Sequence, residues 1–267
     1  MKRIILSRKG FDSRFGGKAS PILSNGNIFS IPIPAGGGPS DHKFRDLKYD
    51  HVNIEDVFEV VKPKSSLDDY CHFDPQLNQS IGLFGQANNA QSELANRNVG
   101  AGDIFIFFGL FRDYTIKKRE IHHMFGWLQI DYILKEPNEI KDFLNQRNIN
   151  HPHGFVEYFT NNALYVSKEF IEINNKKTSL KGFGMFKKTQ TDLILTAPDK
   201  TKKIWKMPEK YFSNTNNLFM NRLKWIGDEK DCLIDSGGIG QEFVMNSELN
   251  PKLIDWVVEL IQNHGNH

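Results

Sequence analysis

The apolar residues of this chain fall into short, well-bounded blocks. Residues 104–111 read Ile-Phe-Ile-Phe-Phe-Gly-Leu-Phe. The run is continuously apolar, rich in β-branched and aromatic side chains and bounded by turn residues, which predicts a strand buried on both faces. Residues 124–134 form a second strand, antiparallel to the first and joined to it by the charged segment 112–120. Residues 2–7 read as a first short buried strand, and 163–166 and 193–196 as further strands. A short strand is also expected at 28–33, inside a Gly- and Pro-rich, loop-like stretch that runs from Arg8 to Gly38. Helices are expected at 53–61 with Asn53 as cap, 88–98, 137–146 and 253–262, the last with Asn250 as cap and Pro251 as its first residue. These elements predict an α+β fold, with a mixed, largely antiparallel sheet or partial barrel and flanking helices. With no internal repeat or linker, residues 1–267 are expected to form a single domain.

Composition narrows the function classes. Among 267 residues, 39% are hydrophobic and 25% charged, enough for a sizeable core. The 21 phenylalanines suit a β-rich interior. A net charge of +2 argues against a protein that coats DNA through bulk charge, although Lys2, Arg3, Arg8, Lys9, Arg14 and Lys18 leave room for a local basic groove. Two distant cysteines, Cys71 and Cys232, form no disulfide framework. With no apolar stretch long enough to span a bilayer, a cytoplasmic location without membrane contact is expected.

Four constellations carry candidate chemistry. The first is Ser7-Arg-Lys-Gly-Phe-Asp-Ser followed by Gly16-Gly17. Arg8 and the amides of Gly16 and Gly17 could hold a phosphate, and Asp12 a sugar hydroxyl or a metal; an Arg8–Asp12 pair holding a turn is the plain alternative. The second is His72-Phe-Asp74-Pro. A His and an Asp two residues apart, joined by a distant histidine, can make an open divalent-metal site; an Asp-Pro turn is the alternative. The third is His151-Pro-His153 with Asn161 and Asn162, where the stiff backbone suits a metal or a phosphate. His122 and His123 open a strand and face opposite ways, so at most one should join a site. The fourth is the glycine-rich turn from Asp235 into Gly240-Gln241-Glu242, in which Gln241 could read a base edge and Glu242 could act as acid or base. A glycine hairpin beside a strand is the alternative.

Taken in order, these motifs, with Phe84-Gly-Gln86, Gly102-Asp-Ile-Phe-Ile-Phe-Phe-Gly, Phe125-Gly-Trp-Leu-Gln and Asn162-Ala-Leu-Tyr-Val, resemble the third nucleotide-modification-associated domain family of bacteria and phages. The resemblance spans nearly the whole chain. It implies a link to modified nucleotides, and hence a nucleotide or nucleic acid as partner. One departure is Ile239, where a basic residue is expected, which weighs against a phosphate role for that turn. A second likeness, of 102–111 with the returning strand from Phe125, is to PUA-related barrels, which read modified bases without chemistry.

Two functions follow. One is a nucleotide- or base-modifying enzyme with a candidate divalent-metal site. In it Asp12, His151 and Glu242 are catalytic, Arg8, Gly16, Gly17, Gln86 and Gln241 bind the nucleotide, and His72, Asp74 and His153 hold the metal. The other is a non-catalytic PUA-like reader of modified bases, led by Trp127, Phe125 and Gln241.

Overall fold

The protein is described by a computed structural model covering residues 1–116, 119–213, 223–237 and 240–265. Eight strands form one mixed sheet: β1 (Arg3–Arg8), β2 (Ser20–Ile22), β3 (Leu83–Gln86), β4 (Ile104–Asp113), β5 (Ile121–Leu134), β6 (Ala163–Ser167), β7 (Phe183–Met185) and β8 (Glu242–Asn246). Their order is β8-β1-β4-β5-β6-β3, with β7 added to β5 and β2 to β4. The β1–β4 and β2–β4 pairs are parallel and the others antiparallel. Among the described residues five helices flank the sheet: α1 (Ile54–Val61), α2 (Asn88–Asn96), α3 (Pro137–Gln146), α4 (Glu209–Phe212) and α5 (Lys252–His264).

The first eight residues of β4 are buried, because its two faces enter two different cores. Ile104, Ile106 and Phe108 join Ile4 and Leu6 under α5, whose Leu253, Trp256, Val257, Leu260 and Ile261 recur at helical spacing. Phe105, Phe107 and Phe111 face the other way, with Phe84, Leu128 and Tyr165. The Phe84 ring lies 4.8 Å from Phe105 and 5.1 Å from Phe107 between centroids. Edge strand β3 stands three places from β4 in the sheet, so these contacts require the sheet to curl. The edges are not joined by backbone hydrogen bonds, and the sheet is not a closed barrel. Instead, Gln86 Nε2 on one edge donates to Glu242 Oε1 on the other at 2.6 Å.

Helix α1 starts as expected, with Asn53 accepting from the Glu55 and Asp56 amides, and α3 has the expected bounds. Three local expectations are corrected. Residues 193–196 are not a strand: Thr191–Leu193 is a 3-10 turn, and the Leu195 amide donates to the His122 carbonyl. No strand forms at 28–33. Ile28 makes only an isolated bridge to Ile22, since Pro32 and Pro34 carry no amide to extend a ladder. The cap of α5 is Pro251, one residue later than expected, although Asn250 Oδ1 still accepts from the Lys252 amide at 3.2 Å.

Candidate functional site

Two chain segments bring imidazoles to one carboxylate. Around residue 72 the chain is extended, and its side chains alternate in direction. Cys71 and Phe73 enter the apolar cluster under α1, so His72 and Asp74 face the opposite side. His153 arrives on the 3-10 turn Pro152–Gly154, whose preceding residue, His151, accepts the His153 amide on Nδ1 at 3.2 Å. The ligand atoms of His72, Asp74 and His153 lie within 4.8 Å of one another.

Each member is held by neighbours. Asn162 donates from Nδ2 to the His153 carbonyl at 2.9 Å, which turns its Oδ1 to His153 Nδ1 at 2.6 Å. His153 Nδ1 is therefore the donor, and its Nε2 carries the lone pair. The Phe159 ring stacks on His153 at 4.5 Å and 7°. Asp74 Oδ1 accepts the Gly85 amide at 2.9 Å. His151 Nε2, which carries the ring proton because Nδ1 accepts, lies 3.2 Å from the same oxygen but off the line of an ideal hydrogen bond. Gly85 is required sterically: a Cβ there would stand 2.1 Å from His153 Cδ2.

Burial dominates the electrostatics. It pushes His153 down to about 3 and His72 down to about 4, against the opposing charge of Asp74. Burial alone would raise Asp74. The imidazole of His151 beside it, then those of His153 and His72, outweigh burial and hold the carboxyl below its ordinary value. Near neutral pH the cluster thus offers two neutral imidazoles and one carboxylate, a donor set suited to a divalent ion with positions left open.

The cluster lines a cleft of about 410 Å³. Arg8, Asp12, Gln86, Gly240 and Gln241 line it as well, so the chain's two ends meet there. The Arg8 amide donates to the Gln241 carbonyl at 2.7 Å. Glu242 borders an adjoining cavity of about 250 Å³. Its Oε1 accepts from Ser7 Oγ at 3.0 Å, Lys9 Nζ at 3.1 Å and Gln86 Nε2, so Glu242 ties the cleft wall together. Asp12 pairs with Arg8 and caps its own loop. A larger groove of about 820 Å³, which includes Lys48, Tyr132 and Lys181, shares no lining residue with the cleft and contains no histidine.

Some expected residues lie elsewhere. Gly16 and Gly17 are in the loop beside the cleft but do not line it. His122 and His123 sit in the cores on opposite faces of β5, and neither lines the cleft: His122 accepts from Trp205 Nε1 and His123 packs near Phe111. Trp127 and Phe125 are core residues too. The strands on either side of the glycine-rich segment, Leu233–Asp235 and β8, belong to different sheets. Ile239 lies outside the described residues. Conversely, Phe159 and Phe15 shape the site although no sequence spacing marks them, and Lys9 and Gly85, present in the quoted motifs, gain their roles only from the fold.

Residues 3–246 match the family model described as nucleotide modification associated domain 3. The chain belongs to that family. No curated protein and no solved structure matches it. Membership links the chain to nucleotide modification and leaves the site and its chemistry to be argued from the residues. No described helix is long and apolar enough to cross a membrane.

Proposed function

We infer that the cleft is the active site of an enzyme that modifies a nucleotide or a base within nucleic acid, with a divalent metal held by His72, Asp74 and His153. The convergence of these three ligand atoms within 4.8 Å carries the reading. Its strength lies in the supporting contacts: Asn162 fixes the His153 tautomer, while Gly85 and His151 orient Asp74. A bound divalent ion would polarise a substrate oxygen or lower the pKa of a coordinated water. Arg8, Gln86 and Gln241 would supply hydrogen bonds to the substrate. Asp12, His151 and Glu242, first considered as acid–base groups, are better assigned to positioning, since each is engaged in holding another part of the wall. A pure reader of bases would have little use for a buried His-Asp-His cluster, and the two aromatic rings proposed for stacking are in the core.

Metal analysis of protein purified without chelator, then resupplied with iron, manganese and zinc in turn, tests this reading. One equivalent of one metal is expected. His72→Ala and His153→Ala should each reduce bound metal at least about tenfold, with the far-ultraviolet circular dichroism of the metal-free protein unchanged. Wild-type protein that takes up no stoichiometric metal under any of these conditions removes the proposal.

A further inference from the structure

Residues 12–17 form a loop at the rim of the cleft, fixed from within. Asp12 Oδ1 accepts the amides of Arg14 at 2.7 Å and Phe15 at 2.8 Å, the Asp12 amide donates to the Phe15 carbonyl at 2.7 Å, and the Gly17 amide donates to the Asp12 carbonyl at 3.0 Å. Gly16, at φ +82°, lies against the buried Phe11 ring, which a Cβ would meet at 2.5 Å. This rigid loop turns an aromatic ring outward. Phe15 is 38% exposed and, among the described residues, is the exposed large hydrophobic side chain that lines the cleft. The Arg14 guanidinium lies 5.5 Å from its ring centroid.

The charges divide between interior and rim. Inside, Arg8 is paired with Asp12 and Lys9 with Glu242. Arg14 is exposed and has no carboxylate partner among the described residues. A free nucleotide would carry its phosphates into the cleft together with its base, where the cations are already neutralised. A strand would leave its phosphates outside, where Arg14 stands. We propose that the substrate is a base carried in a polynucleotide strand: the base enters the cleft, Phe15 stacks on an adjacent base and Arg14 contacts a backbone phosphate. This rests on the cleft being the nucleotide site, as inferred above.

The test follows fluorescence anisotropy of a short, mixed-sequence single-stranded DNA and of RNA of the same sequence, in chelator, with nucleoside monophosphates as competitors. Chelator separates this test from the metal reading, and the two strands identify the preferred sugar. An oligonucleotide is expected to bind at least about tenfold tighter than any monophosphate. Phe15→Ala should weaken it roughly 5- to 150-fold, the range of base–aromatic stacking, and Phe15→Trp should restore it. Arg14→Gln should reduce the slope of log affinity against log salt by about 0.7. If monophosphates bind as tightly as oligonucleotides, or Phe15→Ala leaves strand binding unchanged, the proposal is overturned while the cleft remains a nucleotide site. If neither probe binds, in chelator or after the metal is resupplied, the proposal and the nucleotide site fall together.

Discussion

Gln86 and Glu242 stand 156 positions apart in the chain and at opposite edges of the sheet, yet their side chains meet at 2.6 Å. The contact closes the curl of the sheet beside the cleft. Glu242 also neutralises Lys9, whose side chain is only 12% exposed. Glu242→Ala would leave a largely buried ammonium alone and is expected to cost about 3–5 kcal/mol. Pairing Lys9→Met with Glu242→Leu should recover much of that loss, since removing both charges ends the mismatch. Urea unfolding checks both, and a Glu242→Ala variant within about 1 kcal/mol of wild type would show that the pair does not hold the wall.

Gly85→Ala tests the packing of the metal cluster without touching a ligand. The added methyl would collide with the His153 ring, and overpacking of this kind costs about 1–3 kcal/mol. The expected result is a lower melting temperature together with weaker metal uptake. Unchanged metal affinity by titration calorimetry would contradict the close approach.

Asn162→Ala tests how His153 is oriented. The variant loses the group that holds the proton on Nδ1, and metal affinity should fall about 10- to 100-fold. Metal-free stability should change much less, because Asn162 lies at the surface end of the contact. Equal metal affinity in variant and wild type would assign Asn162 to the loop alone.

Acid should destabilise the fold well above the carboxylate range. Burial pushes His122 down to about 3, assisted by the nearby cations Arg8 and Lys202 and opposed by Asp12. Burial pushes His123 down to about 4, opposed by its bond to the Met124 carbonyl and by the Asp192 charge. In the unfolded chain both titrate near 6.5, so below that pH the unfolded state binds more protons than the folded one. Stability is complete above about pH 6.5 and declines as pH falls toward 4. Each such histidine accounts for a loss on the order of 2 kcal/mol between pH 7 and pH 5. Urea midpoints measured in chelator should fall over this range, and His122→Gln should flatten the decline. A flat profile in the wild-type protein would contradict neutral burial.

What the sequence disclosed follows the range of the forces involved. Strands β4 and β5 and helices α1, α3 and α5 carry long apolar patterns or caps within their own residues. The three-residue strands β2 and β7 have too few positions for any period, and partners on β4 and β5 specify them. The short β-prone run Leu193-Ile-Leu-Thr196 resembles a strand, but the turn before it directs Leu195 to the His122 carbonyl. At the site, residue type and the two-residue spacing of His72 and Asp74 singled out these two with His153, because few side chains bind metal. The need for glycine at 85 comes from a ring 68 positions away, and the partner of Lys9 lies 233 positions away. Neither separation leaves a mark on local sequence.

The pairing of β1 with β8 sets a schedule for the chain's birth. Ser7 and Glu242 are 235 residues apart, so at roughly 5–20 residues per second a ribosome needs about 12–50 s to deliver the partner of the first strand. During that interval one side of an apolar strand, Ile4-Ile5-Leu6, has no neighbour of its own and is open to pairing with other chains. A nascent chain interrupted before β8 has its histidines and Asp74 but lacks one wall of the cleft. The cleft is therefore incomplete until residues 240–242 have been made and β8 has paired with β1.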